Sequence, residues 1–315
     1  MVGESASPDR VRDAPDDIRS ETPSGIGTSL TDVPVVDPIP YRPWLDRGHV
    51  VDGAFRWRLG ARPLDLDDWI EFGPDADGWI RRKAEVMAEH PSTAFAVLDG
   101  VEDESEEVAT ELLQHLGRRF PDRRPDERYA AGAELHPLDR VARLVPEDLV
   151  LMVERGPGLV FGGGSVCFPN RWDLTSKLGL SIAEVHAPVD GLNEQLEDAV
   201  DGFFERLRPD RSFWRLGWGI LDTADGYTPL DGTAAPRPTE LTIDDLHVRV
   251  ERETLRRFPR TGAVLFTIRT YVTPLRSVLA DAVERDAIAA VIDAMPGGVI
   301  RYKDLADIRR FVSAR

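Results

Sequence analysis

The sequence predicts an α+β protein in which an antiparallel sheet carries flanking helices and follows a mainly helical N-terminal extension. Two observations predict this class. Apolar residues recur at helical spacing in the first half of the chain, whereas alternating or short continuous apolar runs dominate between residues 149 and 275. Proline and glycine clusters separate these runs, as expected for strands and helices joined by turns.

The composition narrows the classes of function. The chain has 315 residues and a net charge of -17, which disfavours binding to nucleic acid or to an anionic membrane surface. A single cysteine excludes an intramolecular disulfide and a self-contained iron–sulfur cluster. No apolar run has the ~18 residues needed to span a bilayer, and the start of the sequence lacks a signal-peptide pattern. We therefore expect a cytoplasmic protein.

Four regions follow from the change of pattern along the chain. Residues 1–38 are rich in Ser, Asp, Pro and Gly and are predicted to be a disordered tail. Residues 39–148 form a mainly helical region, with helices expected at 77–87 and 104–120. Residues 149–275 form the sheet core, and residues 276–315 form C-terminal helices packed on it.

The core region begins with a hairpin. Strands are predicted at 149–154 and 159–168, around a turn at 155–158. Gly162, Gly163 and Gly164 lie inside the second strand, where glycines permit a bulge, or close approach by another backbone or by a flat ligand. A phosphate loop is disfavoured, because no Gly-Lys-Ser/Thr follows.

The later elements alternate between helix and strand. Helices are predicted at 172–185, broken near Gly179, and at 193–207, with further helices at 275–295 and 302–313. Strands are predicted at 212–221, 246–251 and 263–272. Strands separated by helical insertions, with a cavity between sheet and helices, are compatible with a PAS-like core.

Two side chains between Cys167 and Val189 are candidate ligands. His186 ends a predicted helix just before Ala187-Pro188, which favours a rigid imidazole of the kind a haem or metal requires. The alternative is a histidine that caps its own helix. Cys167 could supply a thiolate, but its apolar neighbours Val166 and Phe168 favour a buried, inert thiol.

A second candidate region is the charged run from Arg249 to Arg260. Arg249 and Glu251 share one face of the predicted strand, and a helical turn is expected to follow, with Arg252 and Arg256 four residues apart. Arginines beside a cofactor hold carboxylates by bidentate contacts, and a nearby carboxylate binds a protonated amine or relays protons. A solvated ladder of salt bridges remains the alternative.

The motifs in these two regions carry a family resemblance. Cys167-Phe168-Pro169, Arg171-Trp172-Asp173, Lys177-Leu178-Gly179 and His186-Ala187-Pro188-Val189 resemble the α-subunit family of haem-dependent oxidative N-demethylase. The run from Arg249 to Arg257 and the run from Phe266 to Tyr271 look like a second motif block of that family, and Tyr302-Lys303 matches another of its positions. The resemblance covers roughly residues 40–305.

The resemblance implies a function and a set of roles. It implies a PAS-like fold that holds haem b, with His186 as the iron ligand and Arg256, Arg171 and Trp172 among the cofactor contacts. It implies catalytic or substrate-binding roles for Arg249, Glu251 and Glu253. The reaction would be oxidative demethylation of a small methylated amine such as dimethylamine with O2. Electrons would come from NADPH through a separate reductase that carries FMN and a 2Fe-2S cluster, with tetrahydrofolate as a possible one-carbon acceptor.

Two positions depart from the family pattern. Glu253 stands where the family usually has Gln, and Gly217 stands where the motif around Arg215 and Trp218 usually has Asn. Such changes would alter hydrogen bonding in a pocket. We therefore expect the reaction class of the family to be kept, with a substrate that differs from dimethylamine. A haem-PAS gas or redox sensor is the alternative function, although no transmitter domain is present in the sequence.

Overall fold

A computed structural model of the chain describes residues 34–36, 38–46, 49–156, 158–189, 191–234 and 238–313. The predicted disordered tail therefore lies almost entirely outside the described residues. Within them, the strands are β1 Val50–Val51, β2 Ala54–Phe55, β3 Arg62–Leu64, β4 Phe95–Val97, β5 Asp148–Arg155, β6 Gly158–Ser165, β7 Ser212–Leu221, β8 His247–Arg257 and β9 Val264–Pro274.

The main element is a seven-stranded antiparallel sheet. Its strands follow the order β3-β7-β8-β9-β5-β6-β4, while β1 and β2 pair separately. The predicted combination of an antiparallel sheet with flanking helices is confirmed. Strands at residues 62–64 and 95–97 form the two edges of the sheet, so the sheet includes residues on both sides of the predicted boundary at residue 148. The division into regions stays a prediction.

Helices flank the sheet on both sides. They are α1 Ala76–Glu89, α2 Pro91–Ala94, α3 Glu102–Arg119, α4 Pro125–Ala130, α5 Pro137–Ala142, α6 Ile182–His186, α7 Leu192–Arg206, α8 Leu275–Leu279, α9 Ala282–Ala294, α10 Gly297–Tyr302 and α11 Arg309–Ser313. The predicted helix at 275–295 is interrupted where the Asp281 side chain caps α9. The predicted single helix at 302–313 is wrong, because α10 ends there and Asp304 adopts a left-handed backbone conformation with φ of 52°.

Strand β8 is longer than predicted, and this changes which charges share a face. It pairs with β9 from His247 to Arg257, so the helical turn expected after Glu251 is wrong. The backbone N–H and C=O groups of this segment form hydrogen bonds with β7 and β9 on either side, instead of the bonds within a helical turn. Side chains alternate along a strand, so Arg252 and Arg256 lie on the face opposite to Arg249, Glu251 and Glu253.

The two faces of the sheet differ in their covering. One face, here called the packed face, buries Leu149, Leu151, Val248, Val250 and Leu265 in clusters shared with α1, α3, α5 and α9. The other, here called the cleft face, packs Val150, Met152, Leu255 and Val264 with residues of the segment from α6 to the end of α7. The cleft face carries the charged residues described below.

The glycine cluster in β6 serves close strand packing. Gly163 has a φ of +148°, and a Cβ there would lie 2.6 Å from the carbonyl oxygen of Ala96 and from the Cα of Val97. The register between β5 and β6 shifts at Leu151 and Met152, which marks a bulge. Of the predicted alternatives, the structure shows the bulge and the approach of another backbone, that of β4. None of the helices in the described ranges is long and apolar enough to cross a membrane.

Candidate functional site

The candidate site lies on the cleft face where β7 and β8 run side by side. Arg215, Gly217 and Gly219 of β7 are the register partners of Glu253, Glu251 and Arg249 of β8, in that order. Alternation along both strands places all six on the same face. Two arginines, two glutamates and two glycines therefore form a compact charged floor.

Arg249 holds Glu251 in place. The Arg249 side chain is fully buried, and its Nε donates to Glu251 Oε1 at 2.9 Å. Its Nη1 donates to the carbonyl oxygen of Gly226 at 3.1 Å, and its Nη2 donates to the carbonyl oxygen of Phe168 and to Thr270 Oγ1. All three guanidinium nitrogens are thus engaged within the protein, so Arg249 orients Glu251 and fixes the chain around Phe168.

Arg215 and Glu253 form the second ion pair. Arg215 Nε donates to Glu253 Oε2 across the strand pair. Burial raises the pKa of Glu253, and the Arg215 charge opposes that shift. Burial acts to lower the pKa of Arg215, but the charge and hydrogen bond of Glu253 together with the charge of Glu251 outweigh it, and the net shift is upward. The two side chains are thus joined by a charge-assisted hydrogen bond on the sheet floor.

The two glutamates each keep one oxygen outside these ion pairs, and the two oxygens converge. A Cβ built on Gly217 would lie 3.2 Å from Glu253 Oε1 and 3.3 Å from Glu251 Oε2. Neither oxygen accepts a hydrogen bond from the described residues. A methyl group on Gly219, one step along the face, would meet no atom within 4 Å. The floor thus presents two acceptor oxygens beside open space.

Lys303 approaches this floor from the C-terminal segment. Its Nζ donates to the carbonyl oxygen of Trp218 at 2.9 Å and lies 5.8 Å from the centre of the Trp57 ring. Burial lowers its pKa, whereas the charges of Glu251 and Glu253 act to raise it. Sequence reasoning did not single out Arg215 or Lys303 as site residues. Alternation along the predicted strand 212–221 could have indicated Arg215, and the match of Tyr302-Lys303 to a family position could have indicated Lys303.

His186 is the last residue of α6, which confirms the prediction that it lies at the end of a helix. A reciprocal capping box between Ser181 and Glu184 starts the helix, and Asn193 Nδ2 donates to the carbonyl oxygen of Ala183 at 2.9 Å. Burial, and next the positive charge of Arg215, lower the pKa of His186 to about 4. The imidazole is therefore neutral at physiological pH, the form that binds a metal or a haem iron.

Aromatic side chains lie between α7 and the floor. Phe203 stacks edge-on against Phe213 with ring centres 5.1 Å apart, and Phe203, Phe204, Phe213 and Phe266 are partly exposed around one apolar cluster. Trp172 packs against the same cluster, and the centre of its ring lies 6.2 Å from the centre of the Phe161 ring. Partly exposed aromatic surface beside polar groups is typical of a ligand pocket.

The remaining predicted site residues lie elsewhere. Arg171 bonds to Asp222 and Asp304, and its backbone is left-handed with φ of 57°. Arg256 lies on the packed face, where it pairs with Glu111 at 2.8 Å and stacks over the Trp69 ring. Cys167 is fully buried, and burial raises its pKa to about 12, which confirms the expected inert thiol.

Two surface cavities are lined by residues outside the charged floor. One of about 370 Å³ is lined partly by Phe203 and Phe213 and opens at the β3 edge, beside Arg58 and Arg62. A larger one of about 620 Å³ is lined by Glu102, Asp103, Arg260 and neighbouring residues, and contains none of the cleft residues. The size of a cavity does not indicate the site here, because the larger cavity is lined by charged and small residues and lacks the apolar lining of a small-molecule pocket. In the described ranges no group of three or more His, Cys, Asp and Glu side chains could hold a metal ion.

The residues of the cleft fit a haem. A neutral histidine would suit an iron ligand, partly exposed phenylalanines would suit a flat apolar ring, and Arg215 would suit carboxylates at the edge of that ring. The fold and the cleft thus define a protein of mixed helix and sheet with a charged and aromatic cleft on an antiparallel sheet. The family model described as haem-dependent oxidative N-demethylase, alpha subunit-like, matches residues 60–313. The chain belongs to that family, as the sequence resemblance predicted.

Proposed function

We propose that this protein is a haem-binding catalytic subunit that oxidatively demethylates a small methylated amine. The observation that carries the proposal is the convergence of Glu251 Oε2 and Glu253 Oε1 beside Gly217. Both lie on the face of the sheet that carries Arg215, whose charge acts on His186. A secondary ammonium has two N–H donors, which two acceptor oxygens match. The family assignment supports a haem-dependent oxidative reaction.

His186 would hold the haem iron, and the phenylalanines around α7 would contact the ring. Haem b supplies O2 activation when it is bound, with electrons delivered from outside this chain. The protein's own part is to keep the imidazole neutral through burial and the Arg215 charge, and to keep it oriented at the end of a capped helix. These are properties of the chain that can be tested without turnover.

Glu251 and Glu253 would bind the amine in its protonated form. Arg249 is a positioning residue in this proposal, because it reaches the substrate only through Glu251. The partial burial of both carboxylates strengthens their attraction for a cation, since charges interact more strongly away from water. Binding through two hydrogen bonds would also fix which methyl group faces the reacting centre.

The two departures from the family pattern meet in the structure. Gly217, where the family usually has Asn, lies directly beside Glu253, where the family usually has Gln. A glycine at position 217 leaves room for the carboxylate of Glu253, so the two departures together place a carboxylate oxygen in the cleft. We therefore propose a methylated amine other than dimethylamine as the physiological substrate, with dimethylamine as a useful probe.

The surrounding system is inferred from the family. We propose a separate flavin (FMN) and 2Fe-2S reductase that uses NADPH, a cytoplasmic setting, and a PAS-like origin for the sheet. Transfer of the one-carbon product to tetrahydrofolate belongs to the same proposal. These points rest on the resemblance and on the family assignment, not on particular contacts.

Absorption spectroscopy tests the proposal. The purified protein should bind added haem b and show a Soret band that responds to dithionite and CO. His186→Ala should weaken haem binding at least tenfold and change the band, because the ligand is lost. His136→Ala is the matched control, since His136 lies outside the cleft, with its ring beside Phe95.

The enzymatic part needs a second measurement. NADPH-dependent formation of formaldehyde from a methylated amine, with a compatible reductase, would distinguish an enzyme from a haem sensor. A protein that binds no haem, or one whose spectrum is unchanged by His186→Ala, would contradict the assignment of the cleft.

A further inference from the structure

The cavity of about 370 Å³ at the β3 edge combines an aromatic wall with two arginines. Phe203 of α7 and Phe213 of β7 line it, with ring centres 5.1 Å apart and ring planes at 71° to each other. Arg58, which precedes β3, and Arg62, which begins it, line the same cavity. An apolar wall with a few charged groups is the usual composition of a small-molecule site, and the volume lies in the usual range.

One carboxylate holds both arginines. Arg58 Nη1 donates to Asp46 Oδ1 at 3.2 Å, and Arg62 Nη2 donates to Asp46 Oδ2 at 3.3 Å. Between the two arginines, Gly60 has a left-handed backbone with φ of +65°, a turn that favours glycine. Because side chains held in this way have already lost rotamer freedom, binding a ligand would cost them less entropy.

The two arginines keep most of their donors outside this carboxylate. A guanidinium has five N–H donors, and within the described residues each of the two uses only one nitrogen, on Asp46. Arg62 also lies over the Trp214 ring, with its Cζ 5.3 Å from the ring centre, which orders the group without using an N–H. Donors that the protein leaves unused are therefore held beside the aromatic wall.

The charge of this cavity is opposite to that of the whole protein. Two guanidinium groups and the single carboxylate of Asp46 leave a net charge of +1 among the lining residues, whereas the chain as a whole carries -17. Since the overall field repels anions, an anion is held only where cations are concentrated locally. The excess of arginine over carboxylate therefore favours an anionic ligand, in contrast to the cation proposed for the charged floor.

The cavity lies at one end of the cleft face. Phe213 and Arg215 are two residues apart on β7, so the aromatic wall and the charged floor share that face. A carboxylate held by the arginines could therefore come from either of two sources. It could belong to a haem that lies on the cleft face, through its propionates, or to a separate small molecule.

We propose that the cavity at the β3 edge binds a carboxylate carried on a flat apolar ring. Arg58 and Arg62 bind the carboxylate, and Phe203 and Phe213 contact the ring. This chemistry is common to a haem propionate and to a free aromatic carboxylate. The site goes beyond the proposed demethylation, because it takes an anion and needs no turnover.

Calorimetric titration with 2-naphthoate tests the site, and 2-naphthalenemethanol provides the same ring without the charge. The wild type should bind 2-naphthoate at least tenfold more tightly than the alcohol. The double variant with Arg58→Gln and Arg62→Gln should lose at least tenfold in naphthoate affinity and bind the alcohol as before, because glutamine keeps N–H donors and removes the charge. Arg276→Gln is the matched control, since Arg276 is also an exposed arginine paired with a carboxylate and does not line the cavity.

Haem b and its dimethyl ester distinguish the two sources of the carboxylate. The ester keeps the ring and the iron and lacks the propionate charges, so a preference for haem over the ester reports the propionates alone. If a haem propionate is the ligand, the wild type should prefer haem at least tenfold, the double variant should lose that preference, and haem should displace 2-naphthoate. If the ligand is a separate molecule, haem-loaded protein should still bind 2-naphthoate, and the double variant should affect haem and the ester equally.

The outcomes separate this site from the proposed function. If the double variant keeps both the naphthoate affinity and any preference for haem within twofold of the wild type, the site is overturned, as it is if the wild type binds neither probe. Arginine-dependent binding of 2-naphthoate by a protein that takes up no haem would support the site and count against the haem assignment of the cleft. If the double variant does not fold, Arg58→Gln alone, which lies outside the strands, should weaken the same binding several-fold.

Discussion

Arg215 of β7 and Glu253 of β8 are register partners and form an ion pair on the cleft face of the sheet. The pair is formed by two neighbouring strands that are distant in sequence, and it turns one oxygen of Glu253 toward Gly217. The Arg215 charge opposes the rise in the pKa of Glu253 that burial causes.

The number of N–H donors on the ligand should decide affinity in the cleft. Dimethylammonium offers two donors to Glu251 Oε2 and Glu253 Oε1, trimethylammonium offers one and tetramethylammonium none. We expect calorimetric affinities to fall in that order, by about five- to tenfold for each hydrogen bond lost. Equal affinities for the three ions would show that the two oxygens do not bind the amine.

Replacement of Glu253 by Gln should weaken cation binding and leave haem binding intact. The substitution removes one negative charge, and Arg215 keeps an amide oxygen as an acceptor. Dimethylammonium affinity should fall about tenfold at neutral pH, as measured by calorimetry. Glu111→Gln is a matched control, because its carboxylate also pairs with an arginine but on the packed face. A similar loss of affinity in that control would point to a global electrostatic effect.

A large side chain at Gly219 should block the cleft without unfolding the protein. A methyl group there meets no atom within 4 Å, so Gly219→Ala should be nearly neutral for stability and for haem uptake. Gly219→Phe should fill the open space, and we expect at least tenfold weaker binding of haem or amine with a thermal midpoint close to that of the wild type. Full binding by the Phe variant would place the ligand elsewhere.

The stability of the protein should fall with rising pH because of Glu147. This carboxyl is fully buried, one of its oxygens lacks a hydrogen-bond partner, and burial raises its pKa to about 7. The native state therefore holds a proton that the unfolded state releases near pH 4.5, so the stabilising contribution is present below that pH and is lost as the pH rises through about 7.

The magnitude and the control follow from the same linkage. A shift of this size corresponds to about 3 kcal/mol of stability across the window. Urea unfolding at pH 5 and pH 8 should show wild-type stability falling more steeply than that of Glu147→Gln, whose amide does not titrate. Parallel pH dependences would rule out Glu147 as the source.

Gly163→Ala should disrupt the edge of the sheet. Its Cβ would meet the β4 backbone at 2.6 Å and would require an unfavourable φ, so we expect a loss of about 3 kcal/mol in the free energy of unfolding. Gly158→Ala, where no atom lies within 4 Å of the new Cβ, should cost less than about 1 kcal/mol. Denaturant titration of both variants measures the difference.

Periodicity along the chain was sufficient for most elements. Strand β7 runs from Ser212 to Leu221 as predicted, because alternating aromatic and small residues are a local signal. Strand β8 was predicted to stop at Glu251, since the charged residues that follow suit a solvated turn. Pairing with β7 and β9 overrides that local preference and carries Arg252 and Glu253 into the sheet.

The sequence by itself determined the α+β class, the helix end at His186, the buried Cys167 and the family, because each depends on spacing within a short stretch or on motifs in order. Only the tertiary structure decided which charges meet. Arg256 lies on the packed face and pairs with Glu111, while Arg215 and Lys303 approach Glu253 from β7 and from the segment after α10. Contacts of this kind depend on strand register and chain reversal, and neither is encoded within one stretch of sequence.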